Sequence, residues 1–229
     1  TIISSQKFKG IKNNILYIKS SNVRKSLSEF AYKIYKNKPN NIIAVTGTNG
    51  KSSVADFYFQ ILRLNKRRVA SIGTLGIKTQ NYIKKVLNTT IDPISLSIVL
   101  NELKKSKINN VILEASSHGL KQNRLDGLEF NIGIFTNLSH DHLDYHKTFN
   151  DYLNSKLYLF NNLLKKNSNI ITDIEIPQYK RIEKIALKNK LRIETISNNN
   201  GNLEIISHEY KNEKQIVKIK YNKKIYKFE

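Results

Sequence analysis

Residues 42–53 read IIAVTGTNGKSS, and no other stretch constrains the chain as much. An unbroken apolar run leads into two glycines three residues apart, then a lysine and two serines. Behind them, residues 52–64 carry Val54, Tyr58, Ile61 and Leu62 on one helical stripe. A short buried strand, a glycine turn and an amphipathic helix make a setting in which backbone N–H groups and a helix N-terminus face an anion. Gly47 and Gly50 permit the turn, Lys51 can reach terminal phosphates, and the Ser52 hydroxyl can ligate Mg2+. The common spacing G-x-x-x-x-G-K-[ST] is not met, because its first glycine would fall at Val45. A plain glycine turn joining strand to helix is the alternative reading.

The alternation of strand and helix continues along the chain. RVASIG (68–73), NVILEASS (110–117), NIGIFTN (131–137) and NIIT (169–172) read as buried strands. Helices are expected at 23–35, from Asp92 as N-cap with Pro93 at the first helical position, at 148–165 and at 178–188. This pattern predicts an α/β fold, a mostly parallel phosphate-loop sheet with helices on both faces. LEIISHEY, KQIVKIKY and KIYKF predict a small antiparallel subsheet near the C-terminus. ILYI (15–18) and the helix after it read as an entry segment, ending in the connector KNKPNN. The expected division is therefore 1–38 and 39–229.

With 229 residues, 39% of them apolar, the chain can bury a substantial core. No segment has the ~18 consecutive apolar residues of a membrane span, and the first ten residues lack the features of a signal peptide. A cytoplasmic protein without membrane insertion is expected. Cysteine is absent, which excludes disulfides. The net charge of +21 raises nucleic-acid binding as a possibility, but the lysines are scattered among Asn and Ile along the whole chain rather than gathered on one face. No nucleic-acid partner is expected, and the same field would help recruit a polyanionic small molecule. The chain opens at Thr1 rather than Met, so a part of a longer protein is expected.

Ligands of parallel α/β sheets bind beyond the carboxyl ends of the strands. Three expected strands end there in polar clusters: TGTNGKSS, EASSHGL and TNLSHDHLDYH. Glu114 closes an otherwise apolar strand, where an unpaired carboxylate is costly. A metal ion would explain it, and so would an exposed position or a lysine partner. HDHLDYH nearly matches the H-x-H-x-D-H signature of dinuclear metal hydrolases through His140, His142 and Asp144, but Tyr145 stands in its last position. A polar loop with capping histidines, which include His146, is the plainer reading.

Together the clusters resemble the Mur ligases, ATP-dependent amide-bond-forming enzymes of peptidoglycan synthesis, whose phosphate loop reads TGTNGK[TS]. Folylpolyglutamate synthetases have a similar loop. EASSHGL, QNR at 122–124, FTNLSHDHLDYH and YLNSKLYLF look like the UDP-N-acetylmuramoyl-tripeptide synthetase branch, over roughly residues 41–160. The resemblance implies addition of a third amino acid, meso-diaminopimelate or L-lysine, to a UDP-linked muropeptide through an acyl phosphate. A folylpolyglutamate synthetase-like ligase, or a phosphate-loop protein that ligates nothing, is the alternative.

Carried over residue by residue, the resemblance puts ATP on Gly47, Thr48, Asn49, Gly50, Lys51, Ser52 and Ser53. Asn88, Thr89, Thr90, Ser116, Gln122 and Arg124 would contact the UDP-linked peptide. Two Mg2+ ions would involve Ser52, Glu114, His142 and Lys156, the last as a carbamate, and catalysis would fall to Lys51, Glu114, His142 and Lys156. Ser52 replaces the more common Thr, Ile91 a frequent Pro, and His140 the usual Arg, which puts that Arg's role in doubt. The resemblance further implies a monomer, a uridine-gripping domain ending within 1–38, and an amino-acid-binding domain beyond residue 229. Without the latter, residues 1–229 alone are expected to be inactive.

Overall fold

The run Ile42, Ile43, Ala44, Val45 has no polar side to offer solvent, so a strand made of it must be covered on both faces. In the computed structural model, which describes residues 1–6, 9–211 and 213–229, it is an inner strand of an eleven-stranded sheet.

The chain opens with β1 (Ile2–Ser4), β2 (Gly10–Lys12) and β3 (Ile15–Lys19), which form a separate three-stranded sheet in the order β1-β3-β2. Helix α1 (Val23–Ile34) follows, its N-terminus capped by Asn22. Then come β4 (Asn41–Thr46), α2 (Lys51–Leu64), β5 (Val69–Gly73), and the short hairpin β6 (Gly76–Lys78) and β7 (Ile83–Lys84). Next are α3 (Pro93–Lys105), β8 (Asn110–Glu114), α4 (Ser117–Lys121), β9 (Phe130–Phe135) and α5 (Phe149–Tyr158). The chain continues through a five-residue π turn, Leu159–Leu163, into β10 (Leu164–Asp173), α6 (Tyr179–Asn189) and β11 (Arg192–Ser197). It finishes with β12 (Leu203–Lys211), β13 (Lys214–Tyr221) and β14 (Lys224–Phe228).

The large sheet runs β14-β13-β12-β11-β10-β9-β4-β8-β5-β6-β7. Strands β12 through β5 in that order are parallel to their neighbours, and the hairpins at the two edges are antiparallel. The C-terminal antiparallel strands thus extend the main sheet by way of β12. The β6–β7 hairpin at the opposite edge carries too few alternating residues to be read from sequence.

Each face of the parallel strands meets helices. Ile43, Val45 and Ile112 pack with Ala55 of α2 on one side. On the other, Ile42, Ala44, Val111 and Leu113 share a core with Leu96, Leu100 and Leu103 of α3, Leu153 and Leu157 of α5, and Ile182 of α6. Tyr32 of α1 joins this second core and donates its hydroxyl to the Arg124 carbonyl. Full burial of such side chains is worth about 1.5–3 kcal/mol each, so the two-sided cover outweighs the weak intrinsic pairing of parallel strands.

Helix α3 begins as its sequence dictates: Asp92 accepts from Ser95 N at 2.9 Å and Pro93 takes the first turn. The helix expected at 148–165 is shorter. It ends at Tyr158, widens into the π turn, and gives way to β10 at Leu164, which pairs with Phe130. Leu159, Phe160, Leu163 and Leu164 fit a helical stripe and a buried turn equally well, so spacing alone overextends the helix.

Gly133 of β9 lies under this turn, and a Cβ there would sit 2.8 Å from Phe160 Cε1. Gly133→Val is expected to lower the unfolding free energy by about 1–3 kcal/mol, as overpacked cores do. Urea unfolding checks this as a lower midpoint at unchanged m, and wild-type stability would show that the turn yields freely.

Candidate active site

The turn after β4 is fixed by its neighbours. Gly47 has φ 150°, and a Cβ there would fall 1.9 Å from Thr136 Oγ1. Gly50 is left-handed at φ 82° and passes the chain into α2 without a side-chain cap. The first N–H groups of α2 are therefore directed at the cleft above the sheet. Beyond β9, Thr136 Oγ1 donates to the Asn49 carbonyl at 2.7 Å, and Asn137 accepts from Asn49 N through its side chain at 2.9 Å and from Thr48 N through its carbonyl at 3.0 Å. Thr48 Oγ1 accepts from Ser139 N at 3.0 Å and lies 3.1 Å from the Tyr152 hydroxyl. Lys51 folds back over the loop and donates to the carbonyls of Gly47 and Thr48 at 3.0 and 2.7 Å. Burial lowers its pKa, and the charges of Glu114 and Asp141 work against that shift.

Glu114, at the end of β8, is only 2% exposed. Its partners are neither a lysine nor solvent. Ser52 Oγ donates to Oε2 at 3.0 Å, Thr74 N donates to Oε1 at 2.8 Å, and Thr74 Oγ1 lies 3.2 Å from Oε2. Gly73 makes room, since a Cβ there would come within 2.1 Å of Oε1.

The opposite wall comes from the α3 entry and α4. Thr90 Oγ1 donates to the Glu114 carbonyl at 2.8 Å and accepts from Ser116 N at 2.9 Å. Ser116 also caps α4 by accepting from Gly119 N at 3.1 Å. The Arg124 guanidinium reaches the Thr90 carbonyl and Gln122 Oε1, and Gln122 in turn donates to the Tyr145 hydroxyl at 3.2 Å.

Lys156 is the side chain that the fold treats most unusually. It is 1% exposed, donates to the Gly47 carbonyl at 2.7 Å, and lies 4.3 Å above the Tyr152 ring. Burial first, then the positive charge of Lys51, pushes its pKa down from 10.5 to about 7, against a weaker opposing pull from Asp141.

One cleft of about 520 Å3 gathers Thr48, Asn49, Gly50, Lys51, Ser52, Ser53, Asn88, Thr89, Thr90, Glu114, Ser116, Gln122, Arg124, His142 and Lys156. Gly47 does not line the cleft, but its carbonyl accepts from both Lys51 and Lys156, which do. His142 borders the cleft in left-handed backbone at φ 52°, exposed and 3.4 Å from the Asp141 carboxylate. His140 is outside, its ring 4.9 Å from Phe149. His146 is fully buried, stacked near Tyr152 with ring centroids 5.1 Å apart. Among the described residues, no three His, Asp or Glu side chains converge to hold a metal. The hydrolase-like string HDHLDYH therefore spreads its histidines over three environments. Ser52 and Glu114 do form a donor set suited to a hard cation: a hydroxyl that donates to a carboxylate keeps its own lone pairs free.

Several cleft residues escaped sequence reasoning. Thr74 and His118 line the cleft, and Tyr152 supports both the loop and Lys156. Thr74 belongs to a turn whose only sequence signal is its bracketing glycines.

This combination of a parallel sheet, a glycine loop clasped from the next strand and a lysine-lined cleft defines a phosphate-loop α/β domain. Residues 45–229 match the Mur ligase middle domain, and the chain belongs to that family. It is 36% identical over 231 residues to the UDP-N-acetylmuramoyl-L-alanyl-D-glutamate--2,6-diaminopimelate ligase of Rickettsia montanensis, covering 99% of this chain and 48% of that one. A solved structure of a ligase with the same name superposes with a TM-score of 0.85 at 29% identity, over 99% of this chain and 46% of its own. The Mycobacterium tuberculosis folylpolyglutamate synthase complexed with ADP shares the fold at a TM-score of 0.67 and 11% identity, over 87% of this chain and 51% of its own. The chain thus spans about half the length of the relatives it matches. Among the described residues, no helix is long and apolar enough to cross a membrane.

The Lys156 shift carries a sign. Between about pH 7 and 10.5 the unfolded chain binds a proton on this lysine that the folded chain does not. The cost of burying it is therefore complete below about pH 7 and is relieved as pH rises through that window. In CO2-depleted buffer, urea unfolding should show wild type gaining stability relative to Lys156→Met from pH 6.5 to pH 9.5, about half a unit below and 2.5 units above the lysine's folded value. A gap independent of pH would contradict the assignment.

Proposed function

We propose that the cleft performs ATP-dependent ligation, adding diaminopimelate as the third residue of a UDP-N-acetylmuramoyl-L-alanyl-D-glutamate acceptor. One observation carries the reading: Lys51, Ser52, Glu114 and Lys156 line the same cleft as Thr89, Thr90, Gln122 and Arg124. A phosphate donor and an acceptor peptide held on these two walls meet over Glu114. The name of the Rickettsia relative supports the choice of amino acid, with L-lysine as the competing donor. The higher TM-score of the diaminopimelate ligase supports this branch over a folylpolyglutamate synthase.

In this reading the phosphate loop, residues 47–53, holds ATP through its N–H groups and Lys51. A carboxylate oxygen of the acceptor's D-glutamate attacks the γ-phosphorus, the bond to the bridging oxygen breaks, and ADP leaves with that electron pair. The amine then attacks the acyl carbon, phosphate departs, and the nitrogen loses a proton. The chain's own part is positioning and charge neutralisation. Ser52, Glu114 and His142 are the side chains that would hold Mg2+, which would neutralise charge on the phosphates. Two ions are proposed, the second supported by Lys156 as a carbamate. Lys156 suits that modification because a pKa near 7 leaves neutral amine available to attack CO2, with loss of one proton. Asn88 and Ser116 complete the acceptor wall.

We further assign residues 1–38 to the end of a uridine-binding domain and its linker, and 39–229 to the central domain. A monomer working in the cytoplasm, without nucleic acid, completes the proposal.

In the full-length protein, Lys51→Ala should cut ADP release by at least about 100-fold, the size of effect seen when a charge-stabilising donor is removed. The check is ADP formation with UDP-N-acetylmuramoyl-L-alanyl-D-glutamate and diaminopimelate or L-lysine, alongside circular dichroism. Near-normal turnover of a folded variant would refute the role.

A further inference from the structure

Thr74 lies between the two halves of the cleft and belongs to none of the motifs. It sits in the turn between β5 and β6, with Gly73 before it and Gly76 after the intervening Leu75. Both glycines are enforced by contact. A Cβ at Gly73 would strike Glu114 Oε1 at 2.1 Å, and one at Gly76, where φ is 95°, would strike the Lys84 carbonyl at 2.4 Å. The turn is thus pressed against the Glu114 carboxylate on one side and against the β6–β7 hairpin on the other.

Thr74 uses both of its polar groups there. Its N–H donates to Glu114 Oε1 at 2.8 Å, and its hydroxyl lies 3.2 Å from Oε2 and 3.0 Å from Thr89 Oγ1. An ionised carboxylate only accepts, so the Thr74 hydroxyl proton must point to Glu114. Thr89 must then donate to Thr74, and the chain runs Thr89 to Thr74 to Glu114. Two consequences follow. Glu114 has its rotamer locked by donors on both oxygens, with Oε2 shared by Ser52 and Thr74. Thr89, its proton committed, offers only lone pairs to the cleft and reads a donor, an amide N–H or a hydroxyl, on the acceptor.

We propose that Thr74 is a positioning residue that fixes Glu114 against Ser52 and sets the hydrogen-bond polarity of Thr89, so that the nucleotide wall and the acceptor wall are held in one register. The role rests on the ligase reading for its substrates. The geometry around Glu114 stands without it.

The test compares Thr74→Val, which keeps the backbone donor and loses the hydroxyl, with Thr74→Ser, which keeps both. In the full-length protein, Mn2+ binding in the presence of a non-hydrolysable ATP analogue is followed by electron paramagnetic resonance, and kcat and KM by ADP release. Thr74→Val is expected to weaken Mn2+ binding about 5-fold or more, to lower kcat about 10-fold or more, and to raise KM for the muropeptide more than KM for ATP; a 5- to 10-fold loss is about 1–1.4 kcal/mol, the net worth of one hydrogen bond. Thr74→Ser should restore all three to within about 2-fold. Wild-type Mn2+ affinity in a folded Thr74→Val, or no rescue by serine, would overturn the proposal. If Thr74→Val does not fold, Thr74→Ala takes its place under the same criteria. A wild-type protein that binds Mn2+ with the nucleotide yet forms no amide would sink the ligase reading alone, leaving the Mn2+ comparison to decide on Thr74.

Discussion

A carboxylate at 2% exposure, standing where a parallel strand ends, is the demand that organises this cleft. Left unpaired, Glu114 would cost several kcal/mol of lost hydration. Its donors come from the first turn of α2 and from the turn after β5, and β8 carries the carboxylate itself. These elements meet because β4, β8 and β5 pair in parallel with matched ends: Val45 opposite Glu114, and Ile72 opposite Leu113. A slip of one residue would turn Glu114 to the other face and leave both hydroxyls without their partner.

The lysines pose the opposite problem. Lys51 and Lys156 both point inward and both rest on the Gly47 carbonyl, which concentrates positive charge at one small loop. Burial depresses both, and the charge of Lys51 adds to the shift of Lys156, down to about 7. The arrangement is poor for the fold by itself and good for a polyanion, whose negative oxygens would replace backbone carbonyls as partners. Stability spent at a cleft in this way is a recurring feature of functional sites.

Much of this was legible in the sequence. The strand, glycine loop and helix at 42–64 could be read because burial on both faces, close backbone approach and a helix stripe each leave a separate mark. The capped start of α3 was legible for the same reason, as Asp92 and Pro93 have few other uses side by side. Ser116 and Arg124 were found through their motifs, but their bonds to Thr90 and Gln122 are tertiary and leave no local pattern. Thr74 and Tyr152 were missed for that reason as well: a lone threonine in a turn and a tyrosine on a helix face look like many others. The end of α5 was misjudged because apolar spacing cannot separate a last helical turn from a buried π turn.

The central proposal is that Ser52 and Glu114 would hold the cation of a nucleotide seated on the loop at 47–53, with Lys156 beside it. A crystal structure of the full-length protein with Mg2+ and a non-hydrolysable ATP analogue, grown in bicarbonate, tests it directly. The account predicts a cation about 2.0–2.1 Å from Ser52 Oγ, with Glu114 as a direct or water-bridged ligand, phosphate oxygens on Lys51, and extra density for CO2 on the Lys156 nitrogen. Phosphates bound away from the loop, or a cation remote from both Ser52 and Glu114, would contradict it.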